Sequence, residues 1–348
     1  MRAPKACILS VAATHLSANE VAFLGDAQPW GVILMGRSCD TPEQVRALVD
    51  QIWSAMQRPC LIFIDQEGGR VRRLRPPKWP DFPPGAVYAA LYAKDRDLGL
   101  EAAFLGHRLM AEELAPIGIH ADCAPVLDLL HPGAHRIVGD RAFGSKPAAV
   151  AALGRAALRG LAAGGVAGVI KHMPGHGRAK LDSHEALPLV AADETELATD
   201  MAPFVSLNDA PMAMTAHIAY DAFDPGVAAT VSKTVIQRVI RTRIGFDGLL
   251  MSDDLGMKAL GGALSDRVVR SLGAGCDVAL HCAGFETDPN AILHEMIEVS
   301  DACPELGGDA LRRASKAETA ARRPHEIDKI DARARFDALL AMTEGMTV

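Results

Sequence analysis

The sequence lacks several features that mark other classes of protein. Its seven cysteines include no C-x-x-C pair, so a zinc ribbon or a disulfide framework is not expected, and a reducing compartment suits them better. The net charge of −7 provides no basic excess, which argues against a nucleic-acid partner. No apolar run reaches the roughly eighteen residues of a membrane span. We therefore expect neither nucleic acid nor membrane as a partner.

The N-terminus allows two interpretations. Arg2 and Lys5 precede an apolar run over residues 6–13, which is similar to a short secretory signal. The same run also fits a first β-strand, because Ser17 and Glu20 follow it at the spacing of a helical capping box. We favour the strand, since the strand count below needs it.

Eight short apolar runs alternate with helical segments, and 348 residues with 49% hydrophobic content allow a large core. This rhythm predicts a (β/α)8 barrel over residues 1–300. A doubly wound open sheet is the rival fold, but the first strands lack a G-x-G-x-x-G turn. The candidate strands are residues 6–11, 31–35, 61–65, 120–127, 165–171, 213–217, 248–252 and 277–281.

Helix-start signals lie between these strands. Thr41 precedes a proline at the first helical position, and Ser145, Asp193 and Ser232 are further candidate caps. After about residue 300 the composition shifts to Ala, Arg, Glu and Lys with Leu. We predict a helical extension over residues 301–348 that packs on the barrel, with helices at 311–323 and 330–340.

Polar residues cluster where the predicted strands end, which is where barrel enzymes carry their chemistry. Any one of them has a structural alternative, such as a helix cap for Asp254 or an arginine partner for Asp128. Five consecutive strands ending in this way indicate a polar pocket for a ligand rich in hydroxyls or amides. The residues are Asp65, Arg70, Arg72 and Arg73, then Asp128, Asp140 and Arg141, then Lys171 and His172, then Thr215 and His217, then Ser252, Asp253 and Asp254.

The segment from Lys171 to His184 is the densest group, with three histidines, two lysines and an aspartate in fourteen residues. Asp182 lies two residues before His184, so its carboxylate could orient the imidazole for proton transfer. A zinc site on His172, His176, Asp182 and His184 is the rival interpretation. The histidine spacing spans a Pro-Gly break rather than a helix face, and a lysine beside it would repel a cation. We expect no metal and no cofactor.

Four blocks carry a resemblance to a known family. The sequence resembles the family-three glycoside hydrolases, specifically the single-domain bacterial β-N-acetylglucosaminidases of cell-wall recycling, over roughly residues 5–285. The blocks are Ile64-Asp65-Gln66-Glu67-Gly68-Gly69-Arg70-Val71, Lys171-His172-Met173-Pro174-Gly175-His176-Gly177, Asp182-Ser183-His184 and Ser252-Asp253-Asp254-Leu255-Gly256-Met257.

The resemblance implies a retaining mechanism through a covalent glycosyl-enzyme. It assigns Asp253 as the nucleophile and His184, with Asp182, as the acid/base. It also implies that the substrate is an N-acetylglucosaminide, as in anhydromuramic-acid-linked muropeptides of the cytoplasm. The residues that would hold the sugar are Asp65, Arg73, Arg141, Lys171, His172 and His217.

Some alternatives remain open at this point. A β-glucosidase of the same family and a sugar-binding barrel without catalysis share most of these features. A histidine acid/base is neutral after it loses its proton, so phosphate could compete with water as the acceptor. Met173 and Gly256 depart from the family pattern, which usually has phenylalanine and a small polar residue there. Nothing in the sequence indicates the oligomeric state.

Overall fold

A computed structural model describes residues 3–320 and 324–343. Eight parallel strands form one sheet, and the bridge between Met251 and Val278 joins its two edges, so the described chain contains a closed (β/α)8 barrel. The predicted fold class is confirmed. The barrel strands, numbered one to eight in chain order, are Lys5–Ser10, Pro29–Leu34, Leu61–Ile64, Ala121–Asp122, Ala167–Met173, Met212–Thr215, Leu249–Met251 and Ala279–His281.

The fourth strand is much shorter than predicted. Residues 120–127 were expected to be extended, but the regular ladder covers only Ala121–Asp122. Pro125 lies in the missing part and has no amide hydrogen to donate to a neighbour. The chain beyond it rejoins the fifth strand at a single bridge between Val126 and Lys171. Asp128 therefore follows an irregular segment that bends over the end of the barrel.

Helices surround the barrel, and most of the predicted caps are present. Ser17 and Asp193 form complete capping boxes, and Thr41 accepts a hydrogen bond from the amide of Gln44. Ser145 was a wrong prediction, because Lys146 occupies the cap position without a side-chain bond. The α-helices are Ala18–Ala27, Pro42–Met56, Gly85–Lys94, Arg96–Leu114, Pro147–Ala163, Glu194–Ser206, Leu264–Ala274, Pro289–Ala302, Gly308–Ala320 and Lys329–Ala341, and Val235–Arg243 is wound as a π-helix.

The helix Gly308–Ala320 covers the amino-terminal end of the barrel. Its Ala314 and Ala317 belong to the same buried cluster as the inward-facing residues of the strands. Glu318 accepts a hydrogen bond from the indole of Trp30 at 2.8 Å. The chain just before this helix pairs with the start of the first strand, where the amide of Ala6 donates to Pro304. The opposite, carboxyl-terminal end is left for the functional site.

The helix Lys329–Ala341 packs on the outside of the barrel through Phe336, which is fully buried. The ring of Phe336 lies 6.4 Å from those of both Phe82 and Tyr88, measured between centroids. Residues 321–323 of the predicted helix 311–323, and residues 344–348 of the predicted extension, lie outside the described residues. Within residues 3–320 and 324–343, no helix has the length and apolar character needed to cross a bilayer.

Candidate active site

A polar cavity of about 310 Å³ opens at the carboxyl-terminal ends of the barrel strands. Its wall combines charged residues with an apolar side made by Met35, Met214, Met257 and Leu280. Asp182 and His217 are the two predicted site residues that do not line it. The predicted residues that do are Asp65, Arg73, Arg141, Lys171, His172, His184 and Asp253.

The buried ammonium group of Lys171 is shared by two carboxylates. Lys171 is the fifth residue of the fifth strand, and its Nζ lies 3.1 Å from Asp65 Oδ1 and 2.6 Å from Glu67 Oε1. Arg73 pairs with the other oxygen of Asp65 at 2.8 Å. Burial alone would raise the pKa of Asp65, but Lys171 and Arg73 hold that pKa well below its usual range. This side of the cavity therefore presents fixed, ionised groups.

Glu67 is a site residue to which no role was assigned from the sequence. It lies on a short hairpin, Gln66–Gly68 with Val71–Arg72, that follows the third strand. Both of its oxygens accept from Arg141 at 2.8 Å, which anchors the long loop carrying that arginine. Burial opposes ionisation, but Arg141 and Lys171 lower the pKa of Glu67 to about 2. The sequence offers one indication of its importance, which is its place between Asp65 and Gly68 in the first block that carries the family resemblance.

Asp128 holds two histidines instead of the arginine that was considered. Its Oδ2 lies 2.7 Å from His172 Nδ1, and its Oδ1 accepts from the backbone amides of His172 and His176 at 3.2 and 2.7 Å. Because Asp128 engages Nδ1, the Nε2 of His172 is the nitrogen left for a ligand. Asp128 thus orients a cavity residue from beneath.

His184 is held by Asp182 in the arrangement expected from their spacing. Its Nδ1 lies 2.7 Å from Asp182 Oδ1, which also accepts from the His184 amide at 2.9 Å. Partial burial favours the neutral acid, but the bonds from His184 lower the pKa of Asp182. The Nε2 of His184 makes no hydrogen bond to any described residue, so it is available to a substrate. Phe285, 59% exposed, meets the imidazole edge-on at 5.8 Å between centroids.

Asp253 lines the cavity from the end of the seventh strand. Its Oδ1 accepts from the amide of Asp254 at 2.8 Å. Lys171, Arg73 and Arg141 do not pair with Asp253, because they pair with Asp65 and Glu67 instead. The imidazoles of His176 and His217 lie near Asp253. Burial lowers the pKa of both rings, and the charge of Asp253 opposes this effect.

His217 is placed differently from the expectation that it contacts the sugar. It is fully buried and is not part of the cavity wall. Its Nδ1 lies 2.7 Å from Thr230 Oγ1, and its Nε2 lies 3.0 Å from the carbonyl oxygen of Asp254. Both ring nitrogens are therefore occupied within the protein, and His217 supports the Asp253–Asp254 segment.

The glycines of the loop between His172 and His184 meet steric requirements of the backbone. Gly175 has a φ of +139°, which L-residues rarely adopt. Gly177 has a negative φ, but a Cβ there would lie 1.9 Å from the carbonyl oxygen of Leu129. The backbone of the loop is thus packed directly on the segment that follows Pro125.

Within the described residues, no three His, Cys, Asp or Glu side chains are grouped so that they could hold a metal ion.

A closed (β/α)8 barrel with imidazoles, carboxylates and paired cations around one cavity at its carboxyl-terminal end is typical of an enzyme that acts on a polar substrate. The comparisons with known proteins make this class specific. The family model "Glycosyl hydrolase family 3 N terminal domain" matches residues 4–306, and the chain belongs to this family.

Curated relatives and solved structures agree. The chain is 41% identical over 295 residues to a β-hexosaminidase of Alkalilimnicola ehrlichii, covering 82% of this chain and 83% of that protein. It is similar to the crystal structure of NagZ from Neisseria gonorrhoeae in complex with N-trifluoroacetyl-D-glucosamine, with a TM-score of 0.83, 30% identity and coverage of 98% and 97% of the two chains. The β-N-acetylhexosaminidase of Beutenbergia cavernae gives a TM-score of 0.74 at 26% identity, with coverage of 94% and 96%. The enzyme class is that of a glycoside hydrolase of the β-N-acetylhexosaminidase type.

Replacing Glu67 by Gln should destabilise the fold in a pH-dependent manner. The variant leaves Arg141 without its buried anion and Lys171 with Asp65 alone, so we expect a loss of about 3 kcal/mol in the free energy of unfolding at pH 7. The pKa of Glu67 is lowered from 4.5 to about 2 on folding, so its stabilisation is present above 4.5 and is lost as the pH falls toward 2.

Urea unfolding at pH 7, 5, 4 and 3 measures this difference. The exposed Glu185→Gln serves as the control and should match the parent at every pH. A difference between Glu67→Gln and the parent that does not shrink below pH 4.5 would show that the ion pairs are not its source.

Proposed function

We propose that the chain is a retaining exo-β-N-acetylglucosaminidase that removes terminal N-acetylglucosamine from β-linked cell-wall fragments. The observation that carries this proposal is that the carboxylate of Asp253 and the imidazole of His184 line one cavity. Asp182 binds the other nitrogen of that imidazole. A nucleophile and a proton donor facing the same bound sugar are what double displacement at an anomeric carbon requires.

In the first step Asp253 attacks the anomeric carbon and the bond to the leaving oxygen breaks. His184, protonated on both nitrogens, gives its Nε2 proton to that oxygen and becomes neutral. The carboxylate of Asp182 stabilises the imidazolium before transfer and keeps the remaining proton on Nδ1. The product is a glycosyl-enzyme ester on Asp253.

In the second step the neutral Nε2 of His184 takes a proton from water, and the water oxygen attacks the anomeric carbon. The carboxylate of Asp253 leaves, and both residues return to their starting protonation states. Because a neutral imidazole repels an anion less than a carboxylate would, phosphate is the alternative acceptor. Product analysis with and without phosphate distinguishes the two, since phosphate would yield a sugar 1-phosphate.

The ionised side of the cavity is proposed to hold the sugar. The carboxylate of Asp65 is suited to accept from ring hydroxyls, while Lys171, Arg73, Arg141 and His172 donate to hydroxyl and acetamido oxygens. The partners of these groups are already in place, so little reorganisation is needed on binding. The NagZ structure containing N-trifluoroacetyl-D-glucosamine supports an acetamido sugar as the ligand class.

The finer substrate is proposed to be N-acetylglucosaminyl-1,6-anhydromuramyl muropeptide, hydrolysed in the cytoplasm. The resemblance to the single-domain recycling enzymes supports this assignment. The scattered cysteines are all free in the structure, as a reducing compartment would allow.

Substrate selectivity distinguishes the proposal from a β-glucosidase of the same family. We expect the catalytic efficiency on an aryl β-N-acetylglucosaminide to exceed that on the matching aryl β-glucoside by at least about a hundredfold, because donors placed for an acetamido group would be left unpaired. Steady-state kinetics on the two aryl glycosides measures the ratio. A ratio at or below one would replace the proposed substrate class.

Asp253→Asn should abolish turnover while leaving sugar binding intact. An amide cannot form the ester intermediate, so we expect kcat on the aryl N-acetylglucosaminide to fall at least about a thousandfold. Calorimetry with N-acetylglucosamine should give the parental affinity. The exposed Asp221→Asn is the matched control and should keep the parental rate. Parental turnover by Asp253→Asn would remove Asp253 as the nucleophile.

His184→Ala should slow the enzyme according to the leaving group. A phenyl N-acetylglucosaminide needs a proton on the departing oxygen, so its kcat/KM should fall by about 10²- to 10⁴-fold. N-acetylglucosaminyl fluoride needs little acid assistance and should be far less affected. His294→Ala, at an exposed position, is the control for loss of an imidazole. Equal losses on both substrates would contradict the acid/base role.

A further inference from the structure

A group of charged side chains that the proposed mechanism does not use contacts Asp254, the residue after Asp253. His281, the last residue of the eighth strand, is 1% exposed. Its Nδ1 lies 3.2 Å from Asp254 Oδ1, and its Nε2 lies 3.0 Å from Glu295 Oε2 on the helix Pro289–Ala302. The Nδ1 contact is an ion-pair distance without hydrogen-bond geometry. An imidazole between two carboxylates is therefore enclosed next to the nucleophile.

Asp254 connects His281 to Asp253, because its carboxylate contacts the former and its amide binds the latter. Its Oδ1 accepts from the amides of Gly256 and Cys282 at 2.9 and 3.0 Å. Its own amide donates to Asp253 Oδ1, and its carbonyl oxygen is held by His217. The position of the Asp254 side chain thus determines the position of the amide that binds the nucleophile.

Gly256 is what allows His281 to approach. A Cβ at residue 256 would lie 3.1 Å from His281 Cε1 and 3.2 Å from Asp254 Oδ1. Both distances are tighter than most real Cβ contacts, so a side chain there would press on the imidazole and on the carboxylate. The departure from the family pattern at Gly256 and the presence of His281 are therefore physically linked in this chain.

The charge on His281 follows from its surroundings. Burial alone would lower its pKa, but Asp254 and Glu295 raise it to about 9. The other charged groups that face this cluster are Arg37, from the segment after the second strand, and Arg267, from the helix Leu264–Ala274. Burial lowers the pKa of both arginines, and the charge of Asp254 opposes this effect.

Both arginines already have hydrogen-bond partners in the protein. Arg37 donates to Ser10 Oγ and to the carbonyl oxygens of Val11, Cys282 and Ala283. Arg267 donates to the carbonyl oxygens of Leu255, Met257 and Gly262.

We propose that His281 is a positioning residue for the nucleophile, acting as an imidazolium that lies between Asp254 and Glu295 and so fixes the carboxylate of Asp254. The inference rests on the proposed function, because it takes Asp253 as the nucleophile. Burial opposes the ionisation of Asp254, but the cation of His281 lowers the pKa of that carboxyl, so Asp254 stays ionised at the end of the seventh strand. His281 touches no substrate and acts only through Asp254.

The test uses N-acetylglucosaminyl fluoride, because its fluoride leaves with little help from a proton donor such as His184. With this substrate kcat/KM reports the attack of Asp253 without titration of the acid/base. We expect His281→Gln to lower kcat/KM about ten- to a hundredfold, the effect typical of losing a bond to a charged group. The affinity for N-acetylglucosamine, measured by calorimetry, should be unchanged.

The pH profile separates positioning from general structural support. In the parent, kcat/KM on the fluoride should fall as the pH rises through about 9, where His281 loses its proton. Glu295→Gln removes one of the two anions, so the fall should move to lower pH. His281→Gln should give a low plateau without that fall. Glu298→Gln, on the same helix, and the exposed His294→Gln are controls that should retain the parental profile.

Two further results complete the test. Circular dichroism establishes that each variant is folded, and Glu295→Gln keeps the imidazole, so the shift of the profile is measurable even if His281→Gln does not fold. Parental rates and a parental profile in Glu295→Gln and in folded His281→Gln would overturn the role of His281.

A separate experiment tests whether Asp253 is the nucleophile, by mass spectrometry after reaction with a 5-fluoro N-acetylglucosaminyl fluoride. An adduct on Asp253 in the parent upholds the proposed function, and its absence overturns that function.

Discussion

The site depends on one buried cation. Lys171 is 2% exposed at its side chain, and it is tolerated there because Asp65 and Glu67 each approach its ammonium group. Burying one charge alone would cost several kcal/mol, so the three groups must be present together. Arg73 and Arg141 attach the hairpin and the long loop to the same carboxylates. Strand ends that are far apart in the sequence are thereby held in one rigid, ionised wall before any ligand arrives.

Three further aspartates hold groups at the cavity through hydrogen bonds. The carboxylate of Asp128 binds Nδ1 of His172 and that of Asp182 binds Nδ1 of His184, so each ring keeps its Nε2 for a ligand. The backbone amide of Asp254 donates to Asp253 Oδ1. The barrel supplies the rigid strand ends, and these bonds set the direction of the side chains that they hold.

Much of this could be predicted from the sequence, and the failures have identifiable causes. Eight apolar runs gave the barrel, but the fourth strand was overestimated because Pro125 removes a ladder donor. The pair of Asp182 and His184 is local, so a spacing of two residues was enough to predict it. No role could be predicted for Glu67, because its role is to pair with Lys171 and Arg141, which are distant in the chain. The buried position of His217 depends on Thr230 and Asp254, and no local pattern reveals that.

The alternation of strands and helices, the polar residues at the strand ends and the family blocks can be read from the sequence, because these are properties of short segments. The pairing of charges could not be read there, since pairing in a low-dielectric interior depends on distances between separate strands. The same holds for Gly177, which allows close packing, and for Gly256, which makes room for His281. Those contacts arise when the barrel closes, because closure brings the ends of strands distant in sequence to the same rim.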